Sequence, residues 1–186
     1  MTAISAWLYK VSKGWLALFA AALFFLFMFL VLPDQAAKAQ VYAQGAGSPD
    51  TSFFYWPEAL FEMAEAYGED GRQAYVRARF SFDLAFPLVY GSFLAFTISW
   101  FLGQALAAGS RWRAANLAPV LGVLFDLLEN ISAALVIGQY PARLTAAAWL
   151  ASVFTLLKWI FVYGSFAVLL AAIFVWLIRM VKRQPA

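Results

Sequence analysis

The sequence predicts an all-α integral membrane protein: a four-helix transmembrane bundle with a partly helical extracytoplasmic loop between helices 1 and 2. Three observations carry that prediction. Hydrophobic residues make up 65% of the 186-residue chain and charged residues only 12%, where a soluble domain is nearer half and a quarter. Four apolar runs approach or exceed the ~20 residues that a helix needs to cross a bilayer. The charged side chains gather mainly at the ends of those runs. One polytopic domain over residues 1–186 follows.

The opening residues hold Lys10 and Lys13 and no acid. The first span, about residues 15–32, has no charged or hydroxyl-bearing side chain and is stopped by Pro33. Ala37-Lys38-Ala39 loosely matches a small-x-small cleavage site, but the apolar run exceeds the usual ~7–15 residues of a signal core. It is read as a retained transmembrane helix.

Residues 33–80 form the one long hydrophilic stretch. Asp34–Thr51, rich in Gly, Ser, Ala and Gln, reads as an irregular linker. Pro57 then suits a helix start and Gly68 its end. Leu60, Ala64 and Tyr67 share one face there, with Glu58, Glu62 and Glu65 on the other, which predicts an amphipathic helix capping the bundle or lying on the membrane surface. Asp70 and Gln73 have capping-box spacing, so a further helix should begin near Gly71 and run into the second span, about residues 82–106.

Within that span Asp83, Tyr90, Thr97 and Gln104 recur every seven residues and mark one polar stripe. Pro87 cannot donate to the carbonyl of Asp83, so a kink is expected beside it. Arg79 lies one turn before Asp83 and is placed to pair with it. Ala107–Leu117 reads as a turn bearing Arg111 and Arg113. Pro119 opens the third span, about 119–140, and Pro141 ends it. The fourth runs from about 146 to 178 and is closed by Arg179, Lys182 and Arg183.

The residues worth testing lie in the second, third and fourth spans. Asp126, Glu129 and Asn130 sit at spacings of three and four, so they project from one side of a helix. A central carboxylate facing lipid costs roughly 2.5–3.5 kcal/mol on insertion scales, so that side should face protein, water or a ligand. The expected site joins Asp126, Glu129, Asn130, Lys158, Tyr90 and Asp83 between helices 2, 3 and 4. Asp126 and Glu129 would share a proton, and Lys158 would offset one charge. The plainer reading is that these groups only lock the helices together.

Several functions are excluded. With no Cys and no His, the chain has no disulfide, thiol redox chemistry, Cys/His zinc site, iron–sulfur cluster or Ser-His triad. No cofactor and no metal is expected, although oxygen ligands can hold a hard cation. The net charge of +3 is spread over helix flanks, so nucleic acid is not an expected partner. Lys158 as a Schiff base, Asp126/Glu129 as a diphosphate-metal pair and the intramembrane Asn130-Ile131-Ser132 sequon are all weaker readings.

The sequence thus points to a non-redox accessory or scaffold protein, or to a binder of a lipid-like small molecule. The alternatives are a proton-coupled carrier and an intramembrane enzyme acting through Asp126 and Glu129. Membrane lipids, a second copy of the chain or a larger membrane complex are the expected partners. Lys10, Lys13, Arg111, Arg113, Arg179, Lys182 and Arg183 flank the spans on one side. Asp34, Asp50, Glu58, Glu62, Glu65, Glu69 and Asp70 fall in the first loop. The positive-inside rule puts both termini in the cytoplasm and residues 33–80 outside the cell (inner) membrane. A reporter active only outside the cytoplasm, fused after Gly45, is expected to be active, and a silent fusion contradicts this topology.

Overall fold

The structure, a computed structural model, describes residues 2–182. Arg183, grouped above with Arg179 and Lys182, lies outside the described residues. The elements are α1 (Ala3–Val11), α2 (Gly14–Leu26), α3 (Leu32–Ala43), α4 (Pro57–Ala66), α5 (Gly68–Arg79), α6 (Phe82–Ala105), α7 (Ala118–Gly138) and α8 (Thr145–Lys182). Among the described residues, four helical units are long and apolar enough to cross a membrane: Gly14–Ala43, Gly68–Ala105, Arg111–Gly138 and Thr145–Lys182. The protein is an all-α, multi-pass membrane protein.

The first unit does not stop at Pro33. A π-helical stretch, Phe27–Val31, links α2 to α3, and the Leu32 amide donates to the Phe27 carbonyl five residues back. Proline lacks an amide hydrogen, and its ring collides with the carbonyl four residues earlier in a regular α-helix. The wider turn accommodates both defects. Most of the expected irregular linker is therefore helix, up to Ala43, where Gln44 turns left-handed at φ 49°.

The second unit also departs from expectation. Gly68, at φ 64°, ends α4 and opens α5 at once, so the helix begins three residues before Gly71. It then breaks at Phe80–Ser81, where Ser81 leaves helical geometry at φ −126° and ψ −87°, and resumes as α6 with Pro87 inside it. The carbonyl of Asp83, which Pro87 cannot engage, accepts a hydrogen bond from Asn130 Nδ2 at 2.9 Å. Proline thus frees an acceptor that the third span uses.

α6 is the central helix and packs on α2, α7 and α8. Its sevenfold stripe faces inward, with Pro87, Tyr90, Leu94 and Thr97 buried and Gln104 exposed at the end. One apolar core joins α2, α6 and α8 through Phe24, Phe93, Leu94, Ile98 and Leu169. A second joins the cap to α7 and α8 through Leu60, Ala64, Tyr67, Tyr75, Val136 and Ala151. The exposed Glu58, Glu62 and Glu65 lie opposite that buried face of α4.

At the opposite end, α1 and a 3-10 helix, Arg111–Leu117, close the bundle. Asn116, fully buried, accepts from Ser5 Oγ at 2.7 Å and donates to Ser99 Oγ at 3.1 Å. Arg113 stacks on Tyr9 at 3.9 Å. The region read as a plain turn is therefore a second polar knot, which satisfies buried amide groups that would otherwise be costly.

Gly91 sets the approach of α6 to α7, because a Cβ there would overlap Val123 Cγ2. Gly91→Ala is expected to lower stability by about 1–3 kcal/mol in detergent unfolding, with Val123→Ala relieving part of the loss. Gly164 has open space around it, so Gly164→Ala should change stability by no more than about 1 kcal/mol.

Candidate functional site

The third span carries Glu129 and Asn130 on a buried face, at 1% and 2% exposure, with Asp126 part-buried beside them. Each finds polar company. Glu129 Oε2 pairs with Lys158 Nζ at 2.5 Å. Asp126 Oδ2 accepts from the Tyr90 hydroxyl at 2.8 Å, and Asp126 Oδ1 accepts from Asn130 Nδ2 at 3.1 Å. The two carboxylates therefore have separate partners. Glu129 Oε1 makes no hydrogen bond among the described residues.

Two residues outside the expected set hold the cluster together. Arg79, buried to 4% exposure at the C-terminal end of α5, pairs with Asp83 at 3.3 Å, as the one-turn spacing predicts. It also donates to Asn130 Oδ1 at 3.1 Å and lies over the Tyr75 ring at 4.5 Å. Asp50 comes from the loop, on a 3-10 turn, Pro49–Thr51. Its Oδ2 meets Arg79 Nη1 at 2.5 Å and its Oδ1 meets Lys158 Nζ at 2.9 Å. One carboxylate thus bridges two buried cations.

Sequence reasoning missed Asp50 because a loop acid beside Gly and Ser reads as solvated. The signal that was available is narrower: Lys158 falls within an apolar span and requires an anion when buried. The loop is fixed along α8 by more than this bridge. Trp159 Nε1 donates to the Ser52 carbonyl at 3.1 Å, Thr155 Oγ1 lies 3.2 Å from the Tyr55 hydroxyl, and the Trp56 and Trp149 rings meet edge to face at 5.5 Å.

Burial alone would raise the Asp50 carboxyl, but Arg79 and Lys158 beside it overcome that and hold it well below the usual carboxylate range. Burial, reinforced by Glu129, pushes the Tyr55 hydroxyl up, so it stays protonated.

A cavity of about 830 Å³ opens beside the cluster. Its lining includes the apolar Leu32, Ala36, Ala39 and Phe82, the acids Asp50 and Asp83, and the cations Lys38, Arg77 and Arg79. A second cavity of about 700 Å³ runs between α5 and α7, past Val76, Phe80, Ile131 and Leu135. Among the described residues, no group of three or more acidic side chains is gathered to hold a metal ion. Compared with known proteins, the chain matches no family model, no curated protein and no solved structure.

Asp50→Asn removes the charge that two cations share. The expected loss is about 1–3 kcal/mol, below the range for fully buried pairs because the Asp50 side chain is 34% exposed. Because the folded-state pKa is depressed, the Asp50 contribution is complete above its ordinary value of 3.8 and is lost as pH falls toward the folded value. The stability gap between wild type and Asp50→Asn, followed by thermal unfolding, should therefore be constant above about pH 5 and shrink as pH falls below about 4.

Proposed function

We propose that the protein is a membrane-embedded binding protein for a lipid-like small molecule, with its polar end at the Asp50–Arg79–Asp83 cluster and its apolar part along α3 and the start of α6. The observation that carries this reading is the 830 Å³ cavity that Asp50, Arg79 and Asp83 help to line. Its size falls within the roughly 300–1,000 Å³ of small-molecule sites, and its apolar walls with a few converging polar groups have the usual character of such sites.

The level of the cluster supports the same reading. The 38 residues of α8 measure about 57 Å, against about 30 Å of hydrocarbon. Counting that thickness back from Arg179 ends about twenty residues earlier, beside Lys158 and Trp159. Lys158 then sits near one edge of the bilayer, and the loop over the first half of α8 covers what the hydrocarbon does not reach. A cavity at that level admits an amphiphile from the interface. We place the cap outside the cell membrane and both termini in the cytoplasm, on the charge asymmetry of the loops.

Transport receives less support. The polar contacts run from Asp50 to Tyr90, while Thr97, the next polar group along the α6 stripe, has a hydroxyl with no hydrogen-bond partner. The accessory and scaffold readings rest on the exposed apolar surface of α2 and the π-helical stretch after it, including Trp15, Leu18, Phe19, Phe29 and Leu30, which membrane lipid covers equally well.

Native mass spectrometry of the full chain released from lipid nanodiscs tests the site. A retained small-molecule or lipid adduct is expected on the wild type. Ala39→Trp, which adds bulk to the α3 wall of the cavity, should cut its occupancy at least tenfold. Absence of any adduct, or equal retention by the variant, contradicts the proposal.

A further inference from the structure

We propose that the second cavity, between α5 and α7, holds the phosphate of a membrane phospholipid against Arg72 and Arg77, with an acyl chain running inward past Phe80, Ile131 and Leu135. The proposal uses the bilayer level assigned to Lys158 and does not depend on a ligand in the first cavity. The second cavity measures about 700 Å³ and takes its walls from α5, the C-terminal half of α7 and Tyr140. Gly138 leaves room for α5 at one end, because a Cβ there would come within 3.2 Å of Val76 Cγ2.

The charges on its wall are two arginines, Arg72 and Arg77, and one carboxylate, Glu69. Among the described residues neither arginine has an acidic partner, since the ion pairs there take their cations from Lys38, Arg79 and Lys158. Arg72 is held by neutral groups. Its Nη1 donates to the Ala64 carbonyl at 3.1 Å, and its guanidinium lies 5.2 Å from the centroid of the Tyr140 ring. Those contacts fix the group, use one of its several N–H donors and leave its charge uncompensated. Arg77 is exposed. Glu69, exposed in the first turn of α5, balances one of the two arginines, so the wall keeps a net positive charge.

The level of the cavity is that of a lipid head group. Arg79 is joined to Lys158 through Asp50, so it lies near the same edge of the hydrocarbon. Counted back along α5, Arg77 is about 3 Å and Arg72 about 10 Å further out. The head-group layer beyond each edge is roughly 5–8 Å deep. A guanidinium extends several ångströms from its helix on an apolar stem, so both groups can reach one anion between them. The anion that a bilayer carries at that depth is the phosphate diester of its phospholipids, and the guanidinium fork matches phosphate oxygens.

The lower wall is apolar. Phe80, Ile131 and Leu135 line the cavity and are exposed. Leu124, seven residues before Ile131 and so on the same face of α7, is exposed as well and continues that surface into the span. An acyl chain covers these side chains without leaving a polar group unpaired. Free phosphate would find the same arginines but leave the apolar wall uncovered, so head and tail are both parts of the recognition.

Three probes separate head from tail: dioleoylphosphatidylglycerol, dioleoylglycerol and glycerol phosphate. The full chain, stripped of lipid in dodecyl maltoside, is titrated with each, and adducts are counted by native mass spectrometry. Wild type should retain the phosphatidylglycerol at least tenfold over dioleoylglycerol and show no glycerol phosphate adduct at the same concentration. Arg72 lines this cavity and not the first, so Arg72→Gln should weaken phosphatidylglycerol retention at least fivefold and leave dioleoylglycerol unchanged. Ala39→Trp, in the wall of the first cavity, should have no effect on it. Equal retention of the two glycerolipids, or binding of glycerol phosphate as tight as that of the lipid, overturns the proposal. Loss of phosphatidylglycerol in Ala39→Trp but not in Arg72→Gln also overturns it and moves the lipid to the first cavity. A wild type that retains no glycerolipid overturns it too, and leaves the first cavity to its own test. The wild-type ranking needs no variant to fold.

Discussion

Two buried cations, Arg79 and Lys158, meet on one carboxylate, that of Asp50, and much of the cap follows from that meeting. Arg79 ends α5, Lys158 lies in the first half of α8, and Asp50 belongs to the loop between α3 and α4. A guanidinium or an ammonium taken out of water without an anion costs several kcal/mol. Here the intrahelical acids meet part of that demand, Asp83 for Arg79 and Glu129 for Lys158. Asp50 ties the two pairs into one network and draws the loop onto α8, where Ser52 and Tyr55 take up further contacts.

The backbone irregularities serve the same end. The π-helical turn before Pro33 lets the first unit continue to Ala43, so that α3 forms one wall of the cavity. Pro87 removes a helical hydrogen bond and so leaves the Asp83 carbonyl for Asn130. The break at Phe80–Ser81 separates α5 from α6 and lies between Arg79 and Asp83, which nevertheless remain in contact. None of these features is a loss of order. Each supplies a polar group, or a reach of chain, that regular helices would have denied the cluster.

Much of this was legible in the sequence, for physical reasons that can be named. The bilayer imposes length and apolarity, so the four spans stand out. Helical spacing puts Glu129 and Asn130 on one face, and the cost of charge in hydrocarbon turns that face inward. The pairing of Arg79 with Asp83 was expected from one helical turn, and it forms across the break at Phe80–Ser81. What was not legible depends on tertiary contact. The partner of Lys158 in the loop lies 108 positions away, and no local rule relates them. Asp50 sits among residues that favour turns, so its role is invisible until the loop is packed. The passage of helix through Pro33 was missed because proline is a strong local stop, and the widened turn that overrides it has no sequence rule of its own. Asn116 was missed because one amide near a loop carries no periodic signal.

The central claim is that Asp50 and Lys158 are energetically coupled across the cap. A double-mutant cycle of Asp50→Asn and Lys158→Met, read as unfolding free energy in one detergent at neutral pH, measures that coupling directly. An interaction energy of about 1–3 kcal/mol is the predicted result, as for residues in one buried charge network. Additivity within about 0.5 kcal/mol would mean that the loop carboxylate does not anchor the cation, and would contradict the account.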